Sequence, residues 1–231
     1  MRRLLRWAWR AVLLALCALV AVQFWFVAHI WYWAQHHPES TAFMRAHLAQ
    51  LREDDPRARL KQRWVPYGRI SRYLKQAVVA AEDDKFMSHS GFDWEAVRRA
   101  HERNLREGEI VAGASTITQQ LAKNLFLPSS RAWWRKAQEA VITLMLEALL
   151  TKRRILEIYL NVAEWGDGVY GAEAAARYHY GVPAAALSPA QAARLAAMLP
   201  NPRSYLPGAA TPYLDQQVAV ILARMNYTQV P

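Results

Sequence analysis

Three stretches of the sequence gather side chains able to move protons or hold anions. The first, Glu82-Asp83-Asp84-Lys85-Phe86-Met87-Ser88-His89-Ser90-Gly91, sets three acids and a histidine between apolar segments. A carboxylate held among apolar groups has its pKa raised toward the working range of a general base. A solvated helix end is the simpler account of Glu-Asp-Asp taken alone, and His89 alone more often holds a turn than a metal or a proton. The second, Gly113-Ala114-Ser115-Thr116-Ile117-Thr118-Gln119-Gln120-Leu121-Ala122-Lys123-Asn124, runs a glycine loop into a helix bearing hydroxyls, amides and a lysine. Such a start turns unpaired N–H groups and a positive dipole toward an anion. Alternatively Ser115 is only a cap, with the glutamines on the surface. The third, Arg135-Lys136-Ala137-Gln138-Glu139, places two cations one turn before a carboxylate on a shared face. A local ion pair explains it equally well, so its meaning depends on what stands nearby. Residues 152–161 and the glycine turn at 166–171 read as structural parts that shape a cleft.

Helical patterns position these stretches, and convincing period-two alternation is missing. Ile70, Leu74, Val78 and Ala81 mark a helix face leading into Glu82, and Asp93 caps a second helix with Trp94, Val97 and His101 on one side. Ser115 opens a third. Residues 133–150 are apolar almost all round, the pattern of a helix buried at the domain's centre. Ser188-Pro189-Ala190-Gln191 joins a capping serine, a first-position proline and a capping-box glutamine; Pro200-Asn201-Pro202 stops that helix, and Thr211-Pro212 starts the last. Residues 64–66 and 108–114 read as loops. With no repeat or low-complexity tract, the expectation is one mostly α domain over residues 34–231.

The chain has 231 residues, 53% of them hydrophobic, more than one small core needs. The surplus lies at residues 11–33, an uncharged run that at the helical rise covers the roughly 30 Å of a bilayer's hydrocarbon. Arg2, Arg3, Arg6 and Arg10 precede it, and no acid precedes Glu39. Clustered positive charge holds its own flank in the cytoplasm. Residues 1–10 are thus expected as a cytoplasmic basic tail, 11–33 as a transmembrane helix, and the rest as exported. Trp7 and Trp9 at one end and Trp31, Tyr32 and Trp33 at the other suit interfacial belts. The run is long for a cleaved signal peptide, and no small-residue cleavage site follows. Cys17, the only cysteine, falls in the span, so packing alone must stabilise the exported domain. Net charge is +10; four of the 29 basic residues precede the span, which leaves +6 elsewhere. That excess suits an anionic surface or substrate, or simply solubility. Nucleic acid is not expected on this side of a membrane.

In order and separation these segments resemble the peptidoglycan glycosyltransferases, the transglycosylases that polymerise lipid II. The family's Glu-Asp-x-x-Phe-x-x-His-x-Gly is complete over 82–91, its Gly-x-Ser-Thr-Ile-Thr-Gln-Gln-x-x-Lys-Asn over 113–124, and its Arg-Lys-x-x-Glu over 135–139. A fourth motif appears as Ile155-Leu156-Glu157-Ile158-Tyr159-Leu160-Asn161, and the resemblance runs over about residues 64–206. Where the family often carries Tyr-Phe-Gly, this chain has Tyr178-His179-Tyr180-Gly181, a difference of packing more than of chemistry.

The resemblance implies a lysozyme-like helical domain behind one transmembrane helix in the inner (plasma) membrane, with the N-terminus cytoplasmic and the catalytic domain periplasmic. It implies an inverting displacement: the 4-hydroxyl of an acceptor lipid II attacks the anomeric carbon of the growing strand, and polyprenyl pyrophosphate leaves. Glu82 is the implied base. Glu139 is the implied second carboxylate, holding either the donor sugar or a divalent cation, Mg²⁺ or Mn²⁺, against the pyrophosphate. Lys123, Arg135 and Lys136 would surround the pyrophosphate. Ser115, Thr116, Gln119, Gln120 and Asn124 would contact the donor, while Asp83, Phe86, His89 and Gly91 support the site. Implied partners are lipid II, the growing glycan strand, the membrane, and other cell wall synthesis and division proteins. The competing classes are a membrane-bound muramidase or lytic transglycosylase, which needs no pyrophosphate-binding cations, and an inactive scaffold, which needs neither Glu82 nor Glu139. The Ser-x-x-Lys and Lys-Thr-Gly of a fused penicillin-binding transpeptidase are missing, so the monofunctional, β-lactam-resistant form is expected.

Overall fold

The computed structural model describes residues 2–108, 113–127 and 133–231, apart from the side chains of Leu4 and Trp133. Helix α1 (Arg2–Trp33) has no proline or glycine to break it, and its 32 residues extend about 48 Å. The basic tail is therefore helical, and the stretch long and apolar enough to cross a membrane is Leu5–Trp33. Nearly all of it is exposed, but Phe26 and Ile30 enter the protein core. Phe26 meets the edge of Phe126 at 5.0 Å between ring centres. Three residues earlier, the amides of Gln23 and Gln138 exchange hydrogen bonds of 3.2 and 3.0 Å. Among apolar surroundings such an amide pair stabilises by roughly 0.6–2 kcal/mol.

The domain that follows is helical: α2 (Ala42–Asp54), α3 (Arg72–Glu82), α4 (Trp94–Glu107), α5 (Ile117–Phe126), α6 (Trp133–Leu149), α7 (Lys152–Val162), α8 (Ala172–Tyr180), α9 (Pro189–Met198) and α10 (Pro212–Met225). Thr41, Ser71, Asp93, Thr151, Ser188 and Thr211 cap their helices through side-chain oxygens, each such cap adding about 1 kcal/mol. Three short strands, β1 (Lys61–Gln62), β2 (Glu164–Gly166) and β3 (Val169–Tyr170), form a sheet of order β1-β3-β2. At two or three residues each they are too short to leave an alternating pattern in the sequence.

The central helix is α7. Ile155, Leu156, Ile158, Tyr159, Leu160 and Val162 are all buried, and α5, α6 and α8 pack around it. This corrects the expectation for residues 133–150. Helix α6 buries Glu139, Ile142, Thr143 and Leu146 on one face and exposes Trp134, Val141 and Leu144 on the other. Its all-round apolarity has two causes, a core on one side and, on the other, an apolar surface beside α1. On α3 the Leu74, Ala77 and Val78 face is buried as the spacing predicts, but Ile70 packs ahead of the helix and Ala81 is exposed. Trp94, Val97 and His101 share α4 but are exposed, not core.

The β2–β3 hairpin is fastened to α7 at Gly171. A Cβ there would fall 2.6 Å from the Asn161 carbonyl oxygen, and its φ of +82° is one that other residues avoid. In the unusual Tyr178-His179-Tyr180 run, His179 is buried with Nε2 2.8 Å from the Trp165 carbonyl, so the departure is absorbed by packing.

Candidate active site

Helix α3 stops at Glu82 because Asp83 turns extended, with φ −163°. Its buried carboxylate then joins two segments: Oδ1 accepts from His89 Nε2 at 2.8 Å and Oδ2 accepts from the Ile117 N–H at 3.0 Å. The second bond puts a negative charge at the start of α5, where free N–H groups and the helix dipole favour it. Thr116, not Ser115, is the cap: its hydroxyl accepts the Gln119 N–H and donates to the Gly91 carbonyl at 2.7 Å, while Gln119 Oε1 accepts the Thr116 N–H. Thr116 and Gln119 are thus engaged within the protein, and the anion expected at this helix start is the protein's own Asp83. Ser115 is exposed and lines the cleft beside Glu82.

Phe86 is fully buried against the edge of His89. Gly91 approaches α6 so closely that a Cβ would lie 2.8 Å from the Thr143 methyl, at a φ of +92°. These residues brace the site and leave Glu82 to face the cleft. Glu82 Oε2 accepts from Gln120 Nε2 at 2.7 Å, and Gln120 Oε1 accepts from the Tyr159 hydroxyl at 2.9 Å. Burial raises the pKa of Glu82; the Gln120 hydrogen bond and the Lys123 charge oppose this and Asp83 adds to it, and the net direction is upward. Tyr159 lies in the fourth motif, in a segment that reads as structural. Its signal in the sequence is a phenol among the apolar residues of an amphipathic helix, since such a hydroxyl needs a partner when buried.

One turn beyond Gln120, Lys123 lies between the two carboxylates. Burial lowers its pKa, Glu139 opposes that, and Arg135 and Lys136 reinforce it. Glu139 is only 3% exposed, bonded to Lys136 Nζ and 3.6 Å from Arg135 Nη1. Three cations therefore surround one buried carboxylate, an excess that favours an anionic ligand. Arg135 Nε is buried without a hydrogen-bond partner among the described residues, a donor left for such a ligand. Asn124 lines the adjoining part of the cleft with Gln120, Lys123 and Tyr159. Arg, Lys and Lys are not metal ligands, so the protein groups at Glu139 do not form a cation site. Among the described residues, the cluster with metal-ligating side chains is His47, Glu164 and Asp167. There Glu164 faces Nδ1 of His47 and Asp167 faces Nε2, on opposite edges of the ring, and Arg203 pairs with both oxygens of Glu164. His47 Nδ1 also lies 2.8 Å from the Tyr170 hydroxyl, so each of these groups already has a protein partner.

Residues 47–226 match the family model described as Transglycosylase, a longer stretch than the motifs alone delimit. The chain is 57% identical over 223 residues to the biosynthetic peptidoglycan transglycosylase of Methylobacillus flagellatus, covering 96% of this chain and 97% of the relative. It is 56% identical over 231 residues to that of Azoarcus sp. strain BH72, covering all of both chains, and 55% identical over 228 residues to that of Laribacter hongkongensis, covering 99% and 100%. A family match over most of the chain and these full-length likenesses place on one footing the braced carboxylate, the cation cluster and the helical fold: the chain belongs to the transglycosylase family.

Proposed function

We propose that this enzyme builds peptidoglycan strands from lipid II, with Glu82 as the general base. The observation that carries the reading is a half-buried carboxylate, Glu82, held by Gln120 in the cleft and coupled through Lys123 to the cations around Glu139. An acceptor 4-hydroxyl hydrogen-bonded to Glu82 would give up its proton as its oxygen bonds to the donor's anomeric carbon. The bond from that carbon to the pyrophosphate breaks on the opposite face, with inversion. The departing pyrophosphate is already a good leaving group, so charge stabilisation by Lys123, Arg135 and Lys136 matters more than a proton donor. Glu139 holds Arg135 and Lys136 in place and opposes the lowering of the Lys123 pKa by burial. Ser115 and Asn124 line the cleft and are assigned to the substrate. Water must be kept out, because hydrolysis of the same bond would end strand growth.

The names of the relatives support the biosynthetic direction over glycan digestion. The four arginines at the start of α1 support a cytoplasmic N-terminus and a periplasmic domain at the inner membrane. The exposed apolar face of α6 beside α1 supports contact of that domain with lipid. With labelled lipid II in a gel assay, wild-type protein should give polymer and Glu82→Gln none, with an unchanged circular dichroism spectrum. Full activity of Glu82→Gln would overturn the assignment of the base; digestion of finished strands without polymer would overturn the direction.

A further inference from the structure

We infer that Tyr159 is a positioning residue for this reaction, fixing through Gln120 which oxygen of Glu82 is held by the protein and which is free for the acceptor. The inference rests on the reading of Glu82 as the base and extends it. Ionised Glu82 has only acceptors, so Gln120 must turn its NH₂ toward it. A glutamine amide bonded at one end only, however, can still rock about that bond and lengthen it. The Tyr159 hydroxyl anchors the other end by donating to Gln120 Oε1 at 2.9 Å, with Nε2 2.7 Å from Glu82 Oε2. Tyr159 is 1% exposed on the central helix α7, so packing holds its ring in place. Burial and the nearby carboxylates of Glu82 and Asp83 keep it protonated, hence able to donate to Gln120. Oε2 of Glu82 is thereby engaged, and Oε1, which has no hydrogen-bond partner among the described residues, is the oxygen left to take the proton.

The consequence is a pH signature. The Gln120 bond stabilises the ionised form of Glu82. Without the phenol the amide loses its anchor at Oε1, that stabilisation weakens, and the acidic limb of the rate profile moves upward. The test is the pH dependence of kcat/KM for lipid II polymerisation by the full chain and its Tyr159→Phe, Gln120→Met and double variants. Tyr159→Phe should move the acidic limb up by about half a pH unit and Gln120→Met by about one, with kcat reduced more than KM is raised. The double variant should match Gln120→Met alone, because the phenol acts only through the amide. An unmoved limb in Gln120→Met, which alters only a half-buried side chain, overturns the inference whatever Tyr159→Phe does to folding. A loss of rate in Tyr159→Phe with an unmoved limb, or additive shifts in the double variant, also overturns it. Glu82→Gln measured alongside separates the two readings: if it stays active the base is misassigned, and if it is inactive a failure lies with Tyr159.

Discussion

Lys123 shows how much a single residue can depend on its neighbours. Its ammonium faces desolvation, two cations and two carboxylates, and the same charge holds down the pKa of Glu82. Lys123→Ala should therefore weaken binding of a lipid pyrophosphate about tenfold or more and also shift the acidic limb of activity upward. Titration with a lipid II analogue checks the first effect, and unchanged affinity would remove Lys123 from the pyrophosphate site. Glu82, Lys123 and Glu139 stand out in the sequence because their types and order match the family's motif set, and the structure couples their charges in one region. The side toward which a polar residue turns has no such signal. Thr116 and Gln119 look the same in sequence whether they meet a ligand or cap a helix, and the latter holds. Tyr159 was hidden because its partner Gln120 stands 39 positions away, a pairing that only the packing of α5 against α7 creates.

At the level of elements, capping chemistry was the most readable signal. Asp93, Ser188 and Thr211 each precede a helix and accept its N–H as the residue types predict. Apolar pattern was less decisive: it found α6 but placed it at the centre, because hydrophobicity reports the lack of water and not what replaces it. The true centre, α7, carries Lys152, Arg153, Arg154, Glu157 and Asn161 among its apolar residues and so looks amphipathic. Helix α8 offers a test of burial through pH. Burial lowers the pKa of His179 below its ordinary 6.5, partly offset by its bond to the Trp165 carbonyl. The unfolded chain therefore takes up a proton near pH 6.5 that the folded chain refuses until lower pH, and this site's stability contribution is lost as pH falls through that window. Between pH 7.5 and 5.5 the wild-type melting temperature should drop further than that of His179→Gln, which keeps a donor without a charge. Equal drops would show that His179 is protonated at no cost.

Across the whole molecule, α1 was legible as a span but not as part of the domain. A glutamine in an uncharged run carries no sign of its partner, yet Gln23 is paired with Gln138 one residue before Glu139. Phe26 and Ile30 lie in the core, and Arg154 on α7 donates to the carbonyls of Trp33 and His36, fixing the exit of the helix. Most single spans meet a thicker or thinner bilayer by tilting alone, at a cost of fractions of a kcal/mol per Å. A tilt of α1 would strain its contacts with the domain at Gln23, Phe26 and Ile30. A lean of α1 would be carried by the amide pair into the first turns of α6, where Arg135 and Lys136 stand. With α1 crossing the bilayer as proposed, polymerisation in vesicles of graded acyl-chain length should pass through a maximum that broadens in the Gln23→Leu/Gln138→Leu double variant. Identical curves for both proteins would mean that the helix bends freely between membrane and cleft. A narrower wild-type curve would make the span a gauge, matching the enzyme to the thickness of the membrane it builds upon.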